Sequence, residues 1–394
     1  MKTKWRIILV LTAVFMCFFC STGVYAATIA RVRSKSYSSL QSAVDAAKNG
    51  DTIWVTKAIS AKTAVKVTGK KSITIDFCHN EYSFDQESFA FTVNATKLTV
   101  NNANIASKTG AFEVGKKSNL TIKNGNVTGY MKNAGTLLIK NGTFEGSGNA
   151  NDTPAPAIRN SGTLKVYNGT FTGNKRDVIW NFSKARIYNG TFKASDSACI
   201  RNGVNADMQI DNGAFISNGD NSSYLIKNNG NFTISTGTFK GYIENRIHNT
   251  GKMSFRISGG VFRGLSGYKH VNNAAGKMVI TGGTFTTTRA NTVFNDINGV
   301  LTISDGRFAV KSEEDHFALY SAGTLTLTGG CFRVNGKARD SIGCVKGSKW
   351  RKSAGADGDV YVVAFPGGQG FPGFPGFPGF PGFPGSSEQL EFPG

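Results

Sequence analysis

The residues of this chain that could do chemistry are its aspartates, its cations and the aromatics set among them. Asp177 and Asp196 precede consecutive apolar segments, Val178-Ile179-Trp180-Asn181 and Cys199-Ile200-Arg201-Asn202. Two carboxylates brought together can serve as general acid and base or share a calcium ion. Their distances to the following asparagine differ by two residues, so their alignment stays open, and a solvated loop is the plain alternative. The basic signal is denser. Directly before a recurring asparagine stand Lys132, Arg159, Trp180, Arg201, Lys227 and His248. A second series runs Lys123, Lys140, Lys165 with Tyr167, and Arg186 with Tyr188. Like charges in line repel one another unless an anion or solvent screens them. Such cations can hold carboxylates or sulfates, while Trp180, Tyr167 and Tyr188 can stack on sugar rings. The competing reading is a solubilising surface on a basic protein.

A repeat must position these side chains. The segment Leu164-Lys165-Val166-Tyr167-Asn168-Gly169-Thr170-Phe171 recurs, with copies starting at Leu120, Leu137, Ala185, Met208, Phe232, Phe255, Met278, Leu301 and Leu325. From Gly142 onward the in-register glycines are spaced 27, 21, 23, 24, 23, 23, 23 and 24 residues apart. That period means a stacked architecture in which no unit buries its own apolar face. Two strands can be read per unit: the Leu-x-Ile segment and the segment that ends in asparagine, as in Ala157-Ile158-Arg159-Asn160. A propeller blade would be about twice as long, and leucine-rich units would carry more leucines. The expectation is therefore an all-β solenoid of parallel coils. Stacking places Phe144, Phe171, Phe192, Phe215, Phe239, Phe262, Phe285, Phe308 and Phe332 in an internal column. Asn133, Asn160, Asn181, Asn202 and Asn228 become an internal amide ladder. At about 4.8 Å per coil, ten to twelve coils give a rod on the order of 50–60 Å.

Ahead of the array, Leu40, Ala43, Val44 and Ala47 fall at helical spacing, Ser38 or Ser39 can cap, and Asn49-Gly50 stops the helix. Gly50-Asp51-Thr52-Ile53 then leads into a strand. This order resembles the N-terminal cap of the pectin-lyase-like right-handed parallel β-helix superfamily. The resemblance implies a right-handed, single-stranded β-helix whose short helix plugs the first coil. It divides the chain into a leader over 1–26, the cap and first strand over 27–60, the β-helix over 61–364 and a tail over 365–394. The superfamily holds polysaccharide lyases, hydrolases, esterases and non-enzymatic adhesins, so fold alone does not choose among them. The lyases need clustered carboxylates with a basic residue, and the hydrolases need aspartates on neighbouring coils. Apart from Asp177 and Asp196, no carboxylates recur at equivalent positions, and the Asn-Thr-Asp, Asp-Asp and Arg-Ile-Lys motifs of polygalacturonases are absent.

The remaining features concern location. Lys2, Lys4 and Arg6, an apolar run from Ile7 to Phe19, and Val24-Tyr25-Ala26 read as a bacterial secretory leader. Without it the formal net charge falls from +20 to +17, which favours polyanionic partners. No later stretch is long and apolar enough to span a bilayer. Cys78, Cys199, Cys331 and Cys344 remain, too few for a disulfide scaffold, and whether Cys331 and Cys344 pair stays open. His79, His248, His270 and His316 show no metal-ligand spacing, so no metal is expected, and calcium would enter only with a lyase. Five tandem Phe-Pro-Gly triplets from Phe371 to Gly385 form a low-complexity, disordered tail suited to self-association or tethering. The expectation is a secreted or surface-held β-helix that binds an anionic polysaccharide or cell-wall polymer, or serves as an adhesin-type rod. A polysaccharide lyase or hydrolase, and a self-associating structural protein, are the alternatives. Export and the lack of a nucleic-acid motif argue against nucleic acid.

Overall fold

The structure is a computed structural model. It describes residues 28–147, 155–173, 176–195, 197–217, 224–247, 253–264, 269–288, 290–311 and 317–335, with strands Arg351–Gly355 and Gly358–Val362. The leader, Asp196, His248, His316, Cys344 and the Phe-Pro-Gly tail lie outside the described residues.

The chain forms a parallel β-solenoid of about 11 turns. One coil shows how sequence makes it. Thr163–Val166 buries Leu164 and Val166, Thr170–Gly173 buries Phe171, and Ile179–Asn181 buries Ile179 and Asn181. Each segment alternates inward and outward, because successive side chains of a strand point to opposite faces. Each pairs in parallel with its counterparts one coil below and above: Leu164 with Leu137 and Ala185, Phe171 with Phe144 and Phe192, Asn160 and Asn202 with Asn181. Three faces result, named here for leucine, phenylalanine and asparagine. The sequence showed two strands per repeat; the short Thr-Phe segment adds the third, since it too pairs with its neighbours.

The corner after each leucine-face strand is sharp. Gly169 and Gly190 sit at φ +135° and +134°, and a Cβ on Gly190 would come within 2.9 Å of the Gly169 carbonyl oxygen. Positive φ and this close approach together require glycine there. The phenylalanine rings stack face to face down the interior, with centroids 4.4–5.0 Å apart from Phe144 to Phe332. At the next corner each asparagine Nδ2 donates to the Oδ1 of the coil above, at 2.7 Å from Asn160 to Asn181 and 2.8 Å from Asn181 to Asn202. The ladder is longer than the sequence pattern indicated. It continues from Asn228 through Asn245, Asn273 and Asn295 and ends on the Ser321 hydroxyl. These amides are buried, so the bonds to one another and to turn carbonyls satisfy polarity that water cannot reach.

Before the parallel array, Ala30–Val32 pairs antiparallel with both Lys35–Tyr37 and Thr52–Val55. The helix Leu40–Ala46 is capped by Ser39, whose hydroxyl accepts from the Ser42 amide at 3.0 Å, and it buries Leu40, Ala43 and Val44. Ile105 stacks on Val127, as the 22-residue offset indicated. At the other end Arg351–Gly355 and Gly358–Val362 form an antiparallel hairpin.

Two placements differ from the sequence reading. The outward position after Lys227 belongs to Glu244 and not to His248, since Lys227 pairs with Glu244 and Asn228 with Asn245. The repeat is shortened there because Gly241, at φ +140°, turns Thr238–Lys240 directly into Tyr242–Arg246. Lys165, moreover, does not continue the Lys123–Lys140 line. Lys165 lies in register between Leu138 and Arg186, whereas Lys140, Tyr167, Tyr188 and Asp211 form the adjacent column one turn position later.

Candidate functional site

The asparagine face carries the basic column. Each ladder asparagine is locked inward, so the residue before it must project outward. In register these residues are Lys132, Arg159, Trp180, Arg201, Lys227, Glu244, Asn272 and Phe294, and the line extends to Glu113, before Val114, and to Tyr320, before Ser321. The five expected site residues from Lys132 to Lys227 therefore share one line. Their partners differ. Lys132 Nζ meets Glu113 Oε1 at 2.8 Å. Arg159 lies over the exposed Phe182 ring, its guanidinium carbon 5.2 Å from the centroid. The Trp180 ring meets Phe182 edge-on, with centroids 6.2 Å apart. Lys227 Nζ lies 4.9 Å from the Tyr224 ring centre. Among the described residues no carboxylate comes within ion-pair distance of Arg159 or Lys227.

Asp177 is not a solvated loop residue. It is 3 % exposed and collects donors from three places. Arg201 Nε donates at 2.6 Å and the Ala198 amide at 2.8 Å, while the Trp180 indole N–H and the Ser197 hydroxyl also point at its carboxylate. All four of its acceptor sites are thus used by the protein, which argues against a catalytic or metal-binding task. What it does is hold Trp180 and Arg201, on successive coils, in one fixed arrangement. The Arg201 guanidinium lies 5.6 Å from the centre of the Trp180 ring. Asp196, its supposed companion, is outside the described residues.

The leucine-face series makes a self-contained stack. Lys140 Nζ sits 3.3 Å over the Tyr167 ring, and Tyr167 and Tyr188 stack with centroids 4.7 Å apart. Arg186 lies 4.6 Å from the Tyr188 centre and bonds Asp211 Oδ2 through Nε at 3.0 Å. The hydrogen bond to that carboxylate first, and its charge as well, hold the Arg186 guanidinium above its ordinary range, against desolvation, which pulls the other way. Both tyrosines have ring faces occupied inside the protein. Lys165, Arg186 and the tyrosine hydroxyl edges face outward, but flat stacking of a sugar on these rings is blocked.

Two groups escaped sequence reading. The first follows the basic column: Tyr224, Tyr242, Glu244, Arg246 and Asn272. Tyr242 donates its hydroxyl to Glu244 Oε2 at 3.1 Å and accepts from Asn272 Nδ2 at 3.1 Å. Arg246 also donates to Glu244 Oε2, at 3.4 Å. Burial first, and the Glu244 charge second, push the Tyr242 phenol far up. Sequence alone gave no sign, because the shortened repeat hides the register.

The second is His270, 1 % exposed, against Gly264 on the interior side of a corner, where a Cβ on Gly264 would come within 3.0 Å of the imidazole. Neither ring nitrogen has a partner. Burial lowers its pKa to about 3, so the folded state keeps it neutral. A depressed base leaves its stability fully present above the unfolded pKa of about 6.5, and loses it as pH falls toward 3. Between pH 6.5 and 5 this costs about 2 kcal/mol. Urea unfolding at the two pH values should show that loss in the wild type and not in His270→Leu; equal slopes would contradict it.

Among the described residues no three His, Cys, Asp or Glu side chains gather to hold a metal ion. Cys78 and Cys199 are free thiols, the latter buried with its pKa pushed up to about 12. No helix among the described residues is long and apolar enough to cross a membrane. No family model matches the chain, and neither a curated protein nor a solved structure does.

Proposed function

We propose that this chain is an exported right-handed β-helix of the pectin-lyase-like kind, closed at its N-terminal end by the Leu40–Ala46 helix, and that its asparagine face binds an extracellular anionic polysaccharide. The observation that carries the reading is the single line Lys132–Arg159–Trp180–Arg201–Lys227, where cations and an aromatic repeat at strand spacing. A polysaccharide laid along the rod would meet Arg159 and Lys227, which lack carboxylate partners among the described residues. It would also meet Trp180 and Arg201, pre-set by Asp177. The exposed Phe182, 45 % accessible, adds an apolar edge for a sugar ring. A net charge of +17, that is +20 less Lys2, Lys4 and Arg6 of the leader, would draw such a ligand in at low salt.

The test uses Arg159→Ala with Lys227→Ala, since Arg201 also braces a buried carboxylate and its loss would confuse folding with binding. Titration of hexagalacturonate, alginate and hyaluronan oligosaccharides by calorimetry should give a dissociation constant about tenfold or more weaker in the double variant. The difference should shrink as salt is raised. Equal affinity in wild type and variant, or no binding of any of these ligands by the wild type, sinks the reading.

A further inference from the structure

The basic column ends at a carboxylate that the protein leaves half satisfied. Glu244 is 3 % exposed, and its Oε2 accepts from Tyr242 and Arg246, but its Oε1 has no partner. Asn272, also 3 % exposed, pairs in register with Glu244 on the next coil. Its Nδ2 is spent on the Tyr242 hydroxyl, and its Oδ1 has no partner either. The orientation of that amide is determined by the network: Tyr242 has one hydroxyl proton, which goes to Glu244, so it must accept from Asn272. Two acceptors on adjacent strands, one of them charged, are thus enclosed without a donor. Buried oxygens of this kind are almost always paired.

The missing donor is neutral. Arg246 lies 3.4 Å from the same carboxylate, and Lys227 stands on the preceding coil in register with Glu244, so a cation would be repelled from both sides. Hydroxyl groups fit: each donates one proton, and two on one small ring can reach neighbouring strands. We infer that Glu244 Oε1 and Asn272 Oδ1 form a hydroxyl-accepting subsite for a sugar ring of the ligand whose acidic groups lie on Lys227 and Arg159. This rests on the polysaccharide reading and adds to it that the ligand must carry free hydroxyls, and not charge alone. Entry requires a neighbouring side chain to yield. On the preceding coil those are the half-buried Lys227, in register with Glu244, and Tyr224, in register with Tyr242.

Glu244→Gln separates this from a merely structural role. The amide of glutamine cannot turn its NH2 toward Arg246, so its oxygen takes the Oε2 place and its NH2 replaces Oε1, where it can donate to Asn272 Oδ1. Thermal unfolding should then occur at the same temperature or higher, while affinity for hexagalacturonate or hyaluronan oligosaccharide falls about tenfold. Asn272→Ala should show a similar loss of glycan affinity, but with some loss of thermal stability, because the Tyr242 hydroxyl also loses its donor. Inorganic polyphosphate, which is anionic but has no sugar hydroxyls, should bind Glu244→Gln at least as tightly as wild type, since a negative charge beside Lys227 and Arg246 is gone, yet bind the Arg159→Ala, Lys227→Ala variant more weakly. Unchanged glycan affinity in Glu244→Gln, or equal losses for glycan and polyphosphate, overturns the subsite and leaves the oxygens to internal water. Wild type that binds polyphosphate but no glycan overturns the subsite and the polysaccharide reading together. Loss of glycan binding in the Arg159 and Lys227 variant alone upholds the polysaccharide reading while overturning the subsite.

Discussion

Asp177→Ala is expected to lower the unfolding free energy by about 2–4 kcal/mol and to weaken polysaccharide binding at the same time. The carboxylate accepts from Arg201, Trp180, Ser197 and the Ala198 amide, so its removal strands four donors at once. The Ala198 amide is buried and cannot turn to water. Arg201 can: its side chain is 38 % exposed, which is why the cost stays below that of stranding a wholly buried charge. Once released, Trp180 and Arg201 lose their common arrangement and must be reordered by the ligand, which weakens binding. Asp211→Ala is the control. Its pair with Arg186 is reached by solvent, the two side chains being 25 % and 44 % exposed, and the expected change is under about 1 kcal/mol. Guanidinium unfolding of the three proteins, followed by circular dichroism, checks the order. If Asp177→Ala and Asp211→Ala cost the same small amount, Asp177 is not a brace.

Phe215→Ala is expected to cost about 3–5 kcal/mol, the range for emptying a large ring site in a close-packed interior. Phe215 is wholly buried and stacks on Phe192 at 4.7 Å and Phe239 at 5.0 Å, so both neighbours lose a ring face. Phe332, at one end of the column, stacks among the described residues only on Phe308, at 4.7 Å. A solenoid is held by nearest-neighbour interfaces, so the mid-column loss should exceed that of Phe332→Ala and tend to separate unfolding into two steps. Equilibrium unfolding at two wavelengths tests this. Equal costs for the two positions would show that the stack is not transmitting stability along the rod.

Much of this was legible in the chain because a stacked repeat turns sequence spacing into spatial neighbourhood. Once Leu164, Phe171 and Asn160 were recognised as recurring, parallel pairing at strand spacing put each over its equivalents, and the column Lys132–Arg159–Trp180–Arg201–Lys227 followed without further information. The reading failed where the period failed. The turn at Gly241 shortened one repeat and moved Glu244 into the place expected for His248, which hid the cluster around Glu244 and Asn272. It also failed within a repeat. Lys165 and Tyr167 are two residues apart and share an outward face, yet only Tyr167 continues the Lys140 line, because the offset between copies sets the column.

The sequence by itself determined the all-β solenoid, the internal phenylalanine column, the first part of the asparagine ladder and which side of the strands carries charge. Those depend on alternation and period, which are local properties of the chain. Only the tertiary structure decided what the outward residues are doing. It turned Asp177 from a loop aspartate into the brace for Trp180 and Arg201, closed the faces of Tyr167 and Tyr188 against Lys140 and Arg186, and left Glu244 and Asn272 with unused oxygens. The physical reason is that a side chain's partners come from adjacent coils some twenty residues away. Whether a cation is spent on a carboxylate or left for a ligand depends on distances of a few ångströms that no spacing pattern records.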